Sequence, residues 1–269
     1  MKEFRNVLRR ACRSLLGEGD HALLFSGGTD SLTVLWTLLD LGVRPKCYIF
    51  KLAGKDSEDA RVAALASETW DVELVVVEPP VQNLQELAQD VGTVVQLIGS
   101  NRKTHVEVMW GYWHLFERIG EGTIWSGLQA DTLYGSSRSM AIKYSKDPAA
   151  FREARQRMTA DPDQEGFVQA RRIAEHFGKR LCAPYTDAGV REFMLRFSWA
   201  QLNRPKQKMP AVLAFGDEFR TAAVYRRNDN MQCGSGTREH MARLLADPVV
   251  NPKGWRSPAK LYAELGKKG

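Results

Sequence analysis

Six consecutive residues, Ser26-Gly27-Gly28-Thr29-Asp30-Ser31, have the types and order needed to hold a phosphate chain. Paired glycines let the backbone turn sharply and approach a ligand closely. Ser26 and Ser31 add hydroxyl donors, and Asp30 adds a carboxylate able to hold a Mg²⁺ that neutralises phosphate charge. That chemistry needs a frame, and the flanking residues predict one. Ala22–Phe25 reads as a buried strand and Leu32–Leu39 as a helix. In a strand-to-helix turn, free amides and the positive end of the helix dipole face the ligand. A Gly-Gly pair alone would read as a turn with glycines for geometry; the full hexapeptide, early in an α/β pattern, reads as nucleotide binding.

A second stretch, Trp125-Ser126-Gly127-Leu128-Gln129-Ala130-Asp131-Thr132-Leu133-Tyr134-Gly135, again follows a strand and opens a helix. Its Asp131 is placed to share a Mg²⁺ with Asp30 across the rim of a sheet, since a cation bridging phosphates suits two separated carboxylates. The alternative is a first-turn acid favoured only by the helix dipole.

These stretches resemble the N-type ATP pyrophosphatases, the PP-loop superfamily. The hexapeptide is similar to their SGGxDS loop and unlike a Walker A sequence, because no Lys follows the glycines. The second stretch looks like the SGEGADELFGG motif of asparagine synthetase and β-lactam synthetase. Gly127, Ala130, Asp131, Leu133 and Gly135 match, whereas Leu128, Gln129 and Thr132 depart. Leu128 cannot take the substrate-holding role of the acid it replaces. Leu181–Asp187 resembles the family's RxPFLD segment through Pro184 and Asp187. Lys208 opens a run similar to K-x-x-L-R, and Tyr225–Gly236 looks like WRxKEQFxxGxG. The family Lys of that last motif stabilises charge near the α-phosphate. Here the position is Asn228, which donates a hydrogen bond but carries no charge. Arg227, Arg226, Lys206 and Lys208 are the candidate replacement cations.

The resemblance spans about residues 20–245 in family order, and no counterpart of the glutaminase domain of asparagine synthetase is expected among these residues. It implies an adenylating ligase. ATP·Mg²⁺ would sit on Ser26, Gly27, Gly28, Thr29, Asp30 and Ser31, with Phe50 and Gly127 beside the nucleotide and the metal on Asp30 and Asp131. A substrate carboxylate or carbonyl oxygen would take AMP, and an amine or ammonia would displace it, leaving AMP and pyrophosphate. A nucleobase- or nucleic-acid-modifying enzyme of the same superfamily is the runner-up, and a non-catalytic nucleotide-binding relative the third reading.

The elements that must position these residues follow from periodicity. Residues 2–17 have apolar positions at helical spacing. Strands are predicted at 21–25, 46–50, 72–77 and 123–126, and helices from Ser57, near 82–98 and near 103–118. Asp147-Pro148 and Asp161-Pro162 mark helix starts, and Thr186 is the expected N-cap of the helix that follows it. Strands alternating with helices predict an α/β fold with a doubly wound parallel sheet, adenine nucleotide alpha hydrolase-like, whose ligands bind beyond the carboxyl ends of the strands. The loops after residues 25, 50 and 126 then share one rim. Residues 1–137 read as the core and 138–269 as a mostly helical portion completing the site.

Composition bounds the rest. The chain has 269 residues, 43% hydrophobic and 26% charged, with net charge +6 and pI near 9.2. That size buries a sizeable core. The positive charge suits anion handling and leaves nucleic acid possible but not favoured as a partner; a small-molecule substrate with an amine or ammonia donor is expected. No apolar run has membrane-spanning length. Cys12, Cys47, Cys182 and Cys233 are scattered with no CxxC, which argues against a zinc knuckle or redox pair and for a reducing cytoplasm. His105 and His114 lie among aromatic residues and read as packing. Lys51, after the second strand, is a weaker candidate to face the nucleotide. Oligomeric state has no sequence signal.

Overall fold

The computed structural model describes residues 3–160, 166–222 and 234–267. It is an α/β fold built on a five-stranded, all-parallel sheet of order β3-β2-β1-β4-β5. The strands are β1 (His21–Leu24), β2 (Lys46–Phe50), β3 (Leu74–Val77), β4 (Thr123–Trp125) and β5 (Arg180–Cys182). β1 pairs with β2 through Ala22↔Lys46 and with β4 through Ala22↔Ile124. The first four strands lie where the apolar runs predict them. β5 falls within the portion read as mostly helical; it extends the sheet by pairing Ile124 with Leu181, so the portion after residue 137 also supplies an edge strand.

Side chains alternate across a strand, and each face of this sheet has its own apolar core. Leu23 and Phe25 enter one core with Phe4, Leu35 and Trp36. Ala22 and Leu24 enter the other with Val91, Trp110 and Phe116. Helices α1 (Phe4–Leu15) and α2 (Thr29–Asp40) serve the first core; α4 (Leu84–Ile98) and α5 (Lys103–Arg118) serve the second. Trp36 of α2 is wedged between Trp70, Phe215 and Phe219, with ring centroids 5.8, 5.6 and 4.7 Å away. A fully buried aromatic of this kind is worth roughly 3 kcal/mol of burial. It ties the first helix of the phosphate-type loop to the C-terminal part of the chain. Helices Thr237–Ala246 and Pro258–Leu265 pack against α4 and α5.

Helix ends follow local chemistry. Ser57 caps α3 (Glu58–Thr69) by accepting from the Ala60 amide, and Asn83 caps α4 by accepting from Gln85 and Glu86. Asp147 caps Pro148–Thr159, as predicted. The predicted cap at Thr186 moves one residue. Asp187 accepts from the amides of Gly189 and Val190, while Thr186 donates to the Ala183 carbonyl in a single 3₁₀ turn. A carboxylate in extended geometry reaches two free amides, whereas the Thr186 hydroxyl is already used. Asp161-Pro162 lies outside the described residues. No helix among the described residues is long and apolar enough to cross a membrane.

Candidate functional site

β1 is the strand at which the order reverses, with β2 on one side and β4 on the other. Parallel sheets open a crevice at the carboxyl ends of such strands. A cavity of about 390 Å³ lies there. Ser26, Asp30 and Ser31 come to it from the turn after β1, Tyr48, Ile49 and Phe50 from β2, and Ser126, Gly127 and Asp131 from beyond β4. Its size is that of a small-molecule site, and its wall mixes apolar side chains with many polar ones.

Two glycines far apart in sequence let the turn after β1 lie close against its neighbours. Gly27 has φ +67°, and a Cβ there would stand 2.8 Å from Val62 Cγ1 and 2.9 Å from the Ala63 amide nitrogen. Gly127 lies against the start of α2, where a Cβ would meet Asp30 Cβ at 2.8 Å. Both positions require glycine for close approach, and Gly27 requires it for its left-handed backbone as well. Gly28 is the N-cap of α2 and makes no side-chain capping bond. The first amides of α2, at Thr29, Asp30 and Ser31, therefore have neither an intrahelical partner nor a side-chain cap from Gly28. Ser31 Oγ donates to the Gly28 carbonyl at 3.1 Å and lies 3.4 Å from Ser26 Oγ, which sets both hydroxyls on the turn. An open helix N-terminus of twelve residues with adjacent hydroxyls is an anion-binding arrangement.

Asp30 and Asp131 come together around one cation. Lys208 Nζ is 2.6 Å from Asp30 Oδ2 and 2.9 Å from Asp131 Oδ1. Burial pushes the Asp30 carboxyl up to about 6, against the opposing pull of Lys208. The Asp131 side chain is largely exposed, and Lys208 and the hydroxyl of Ser136, 2.5 Å from Oδ1, hold its carboxyl below the usual carboxylate range. Burial draws the Lys208 ammonium down, and the two carboxylates outweigh it and keep it above the ordinary lysine value. Asp30 Oδ1 is buried with no hydrogen-bond partner among the described residues. That orphaned lone pair, with two carboxylates already converging on one charge, fits a divalent cation. Among the described residues no cluster of three or more His, Cys, Asp or Glu side chains could hold a metal. A metal here would rest on these two carboxylates, completed by ligand and water oxygens.

Asp131 sits on a helix of only five residues, α6 (Ala130–Tyr134). Such a helix cannot hold its own orientation. Four side chains from later in the chain fasten its C-terminal end and the residues that follow. Arg155 donates to the Leu133 carbonyl at 2.9 Å, Asn203 to Tyr134 at 2.8 Å, Trp199 to Gly135 at 3.0 Å and Gln207 to Ser136 at 3.4 Å. Arg155 is fully buried and also donates to Met194 and Phe197 carbonyls at 2.9 and 2.7 Å. Motif reading does not find these donors. The signal for Arg155 is its place four residues after Phe151 on the buried face of Pro148–Thr159.

Of the other predicted residues, Gly27, Gly28 and Thr29 shape the turn without lining the cavity, and Phe50 lines it through β2. Lys206 is exposed and does not line the cavity. Arg226, Arg227 and Asn228 lie outside the described residues. Lys51 pairs with Glu78 and is not part of the cavity wall. His105 bonds Ser100 at 3.0 Å and His114 packs on Trp110 with centroids 4.6 Å apart, the packing roles expected of them. In comparisons with known proteins, no family model and no curated protein matches this chain.

Proposed function

We propose that the chain is an ATP-dependent adenylating ligase of the PP-loop kind, similar to the synthetase domain of asparagine synthetase. It would activate a substrate carboxylate or carbonyl oxygen as its AMP ester and transfer it to an amine or ammonia. The observation that carries this reading is the convergence of an uncapped helix N-terminus and two carboxylates on a single cavity at the carboxyl ends of β1 and β4, with Lys208 paired to both carboxylates although it does not line the cavity. The strand order, with an apolar core on each face, supports a doubly wound, adenine nucleotide alpha hydrolase-like fold. Buried, unpaired Cys12, Cys47 and Cys182 fit work in a reducing cytoplasm.

The residues divide the work. Leu24, Ile49 and Phe50 would offer an apolar wall to a nucleoside, and the Thr29–Ser31 amides with the Ser26 and Ser31 hydroxyls would hold the pyrophosphate end of the nucleotide. Asp30 and Asp131 would hold Mg²⁺, which when bound supplies charge neutralisation across the phosphates. Lys208, paired with both carboxylates, would supply positive charge to the phosphates as the substrate oxygen attacks and pyrophosphate leaves. Positioning and charge stabilisation supply most of the acceleration in such a reaction.

A screen of carboxylic acids against amines and ammonia, read by pyrophosphate release, tests the reading. AMP and pyrophosphate are the expected products. ADP and inorganic phosphate would overturn it.

A further inference from the structure

Lys208 occupies the place between the carboxylates that the proposed reading gives to a divalent cation. Its ammonium makes both contacts at hydrogen-bond distance, and its side chain is 15% exposed. It also lies 5.7 Å from the face of the Tyr134 ring. The backbone of Lys208 is left-handed, φ 60° and ψ 41°, at the N-cap of Met209–Ala214. That conformation is costly for a side chain other than glycine or asparagine, so the contacts at the other end of the side chain help to hold it. A lysine and a divalent cation cannot both lie between Asp30 and Asp131, and removing the lysine alone would leave two carboxylates facing each other at close range.

We propose that Lys208 is an exchangeable internal counter-cation: in the free protein it clamps Asp30 to Asp131, and on binding of a metal–nucleotide it gives both carboxylates to the metal and moves onto the phosphates. This rests on the reading of Asp30 and Asp131 as metal ligands. The exchange conserves charge at each station. The carboxylates always face a cation, and the lysine, on a flexible four-carbon stem, always faces anions. It also makes metal and nucleotide interdependent. Metal alone must displace a bonded ammonium that has no phosphate to receive it. Metal with nucleotide gives that ammonium a new partner.

The test measures Mn²⁺ binding to the full chain by paramagnetic resonance, with and without a non-hydrolysable ATP analogue. Without nucleotide, Lys208→Met should bind Mn²⁺ about tenfold or more tighter than the native chain, because no ammonium competes. The gain should vanish in the Lys208→Met/Asp30→Asn double variant. The analogue should tighten Mn²⁺ binding in the native chain and do so less in Lys208→Met. A folded Lys208→Met that binds Mn²⁺ no tighter overturns the exchange, while metal–nucleotide binding by the native chain leaves the functional reading standing. A native chain that binds neither Mn²⁺ nor the analogue overturns both. Should Lys208→Met not fold, acylation of Lys208 in the native chain, followed by peptide mass spectrometry, decides the matter. Mn²⁺ alone should speed the labelling, and adding the analogue should slow it again. Labelling indifferent to both overturns the exchange.

Discussion

The two sides of the candidate site are built in opposite ways. On one side, Ser26–Ser31 is a contiguous turn whose shape comes from its own backbone, from the glycine dihedral at Gly27 and from the uncapped start of α2. On the other, Asp131 rides on five helical residues fastened by Arg155, Trp199, Asn203 and Gln207, all from later in the chain. Lys208 joins the two sides. A local turn keeps its chemistry in a short string of residues. A clamp spreads it over side chains whose individual identities look like ordinary helix surface.

The largest expected effect separates chemistry from scaffold on the loop side. Asp30→Asn keeps the size of the side chain and still offers an oxygen to Lys208, but it removes a metal-binding charge. Turnover should fall about a thousandfold or more, with the thermal midpoint at neutral pH lowered little or not at all. Unchanged turnover and unchanged Mg·ATP affinity in a folded variant would remove Asp30 from the site.

A smaller effect with the opposite character is expected on the clamp side. Arg155→Met fills similar apolar space but leaves the Leu133, Met194 and Phe197 carbonyls without the donor they now share. Breaking such a buried network should cost about 3 kcal/mol of stability, read by denaturant titration. Turnover measured well below the new midpoint should also drop, because Asp131 loses its fixed orientation. A full loss of activity at full stability would mean that Arg155 touches the reacting groups directly, and the contrast between the two sides would fail.

The same contrast explains what was legible in the sequence. β1 and β2 stand out because four or five apolar residues border a turn, and the loop stands out because its residues are adjacent. α2 begins at Thr29, three residues before its apolar stretch, since the loop residues are themselves the first turn of the helix. β5 is three residues long and begins with an exposed Arg180, so neither length nor alternation marks it. Asp131 is visible as a motif residue, but what holds it is not. Arg155 looks like one of several charges on Pro148–Thr159 until the fold buries that face. Lys208 is one of four candidate cations in the sequence, and no sequence pattern marks the left-handed backbone it has or its pairing with Asp30 and Asp131.

The smallest effect is a difference in how pH acts on the two sides. Arg155 binds carbonyl oxygens, and burial brings its guanidinium only to about 10, so it stays charged throughout mildly acidic conditions. The stability it contributes should not change between pH 4 and pH 7. Asp30 differs, because burial raises its folded-state value from 3.8 to about 6. A carboxyl raised on folding binds its proton more tightly in the native state. Its favourable contribution is complete below the unfolded value and is lost as pH rises through the folded one. Asp30→Asn removes that dependence. The stability of Asp30→Asn relative to the native chain should therefore climb between pH 4 and pH 6.5, by about 2 kcal/mol, and then level off. The deficit of Arg155→Met should stay flat over the same range. A flat Asp30→Asn difference would mean that Lys208 cancels the burial of Asp30 in full, and a sloping Arg155→Met difference would mean that the clamp shares a titrating group with the loop.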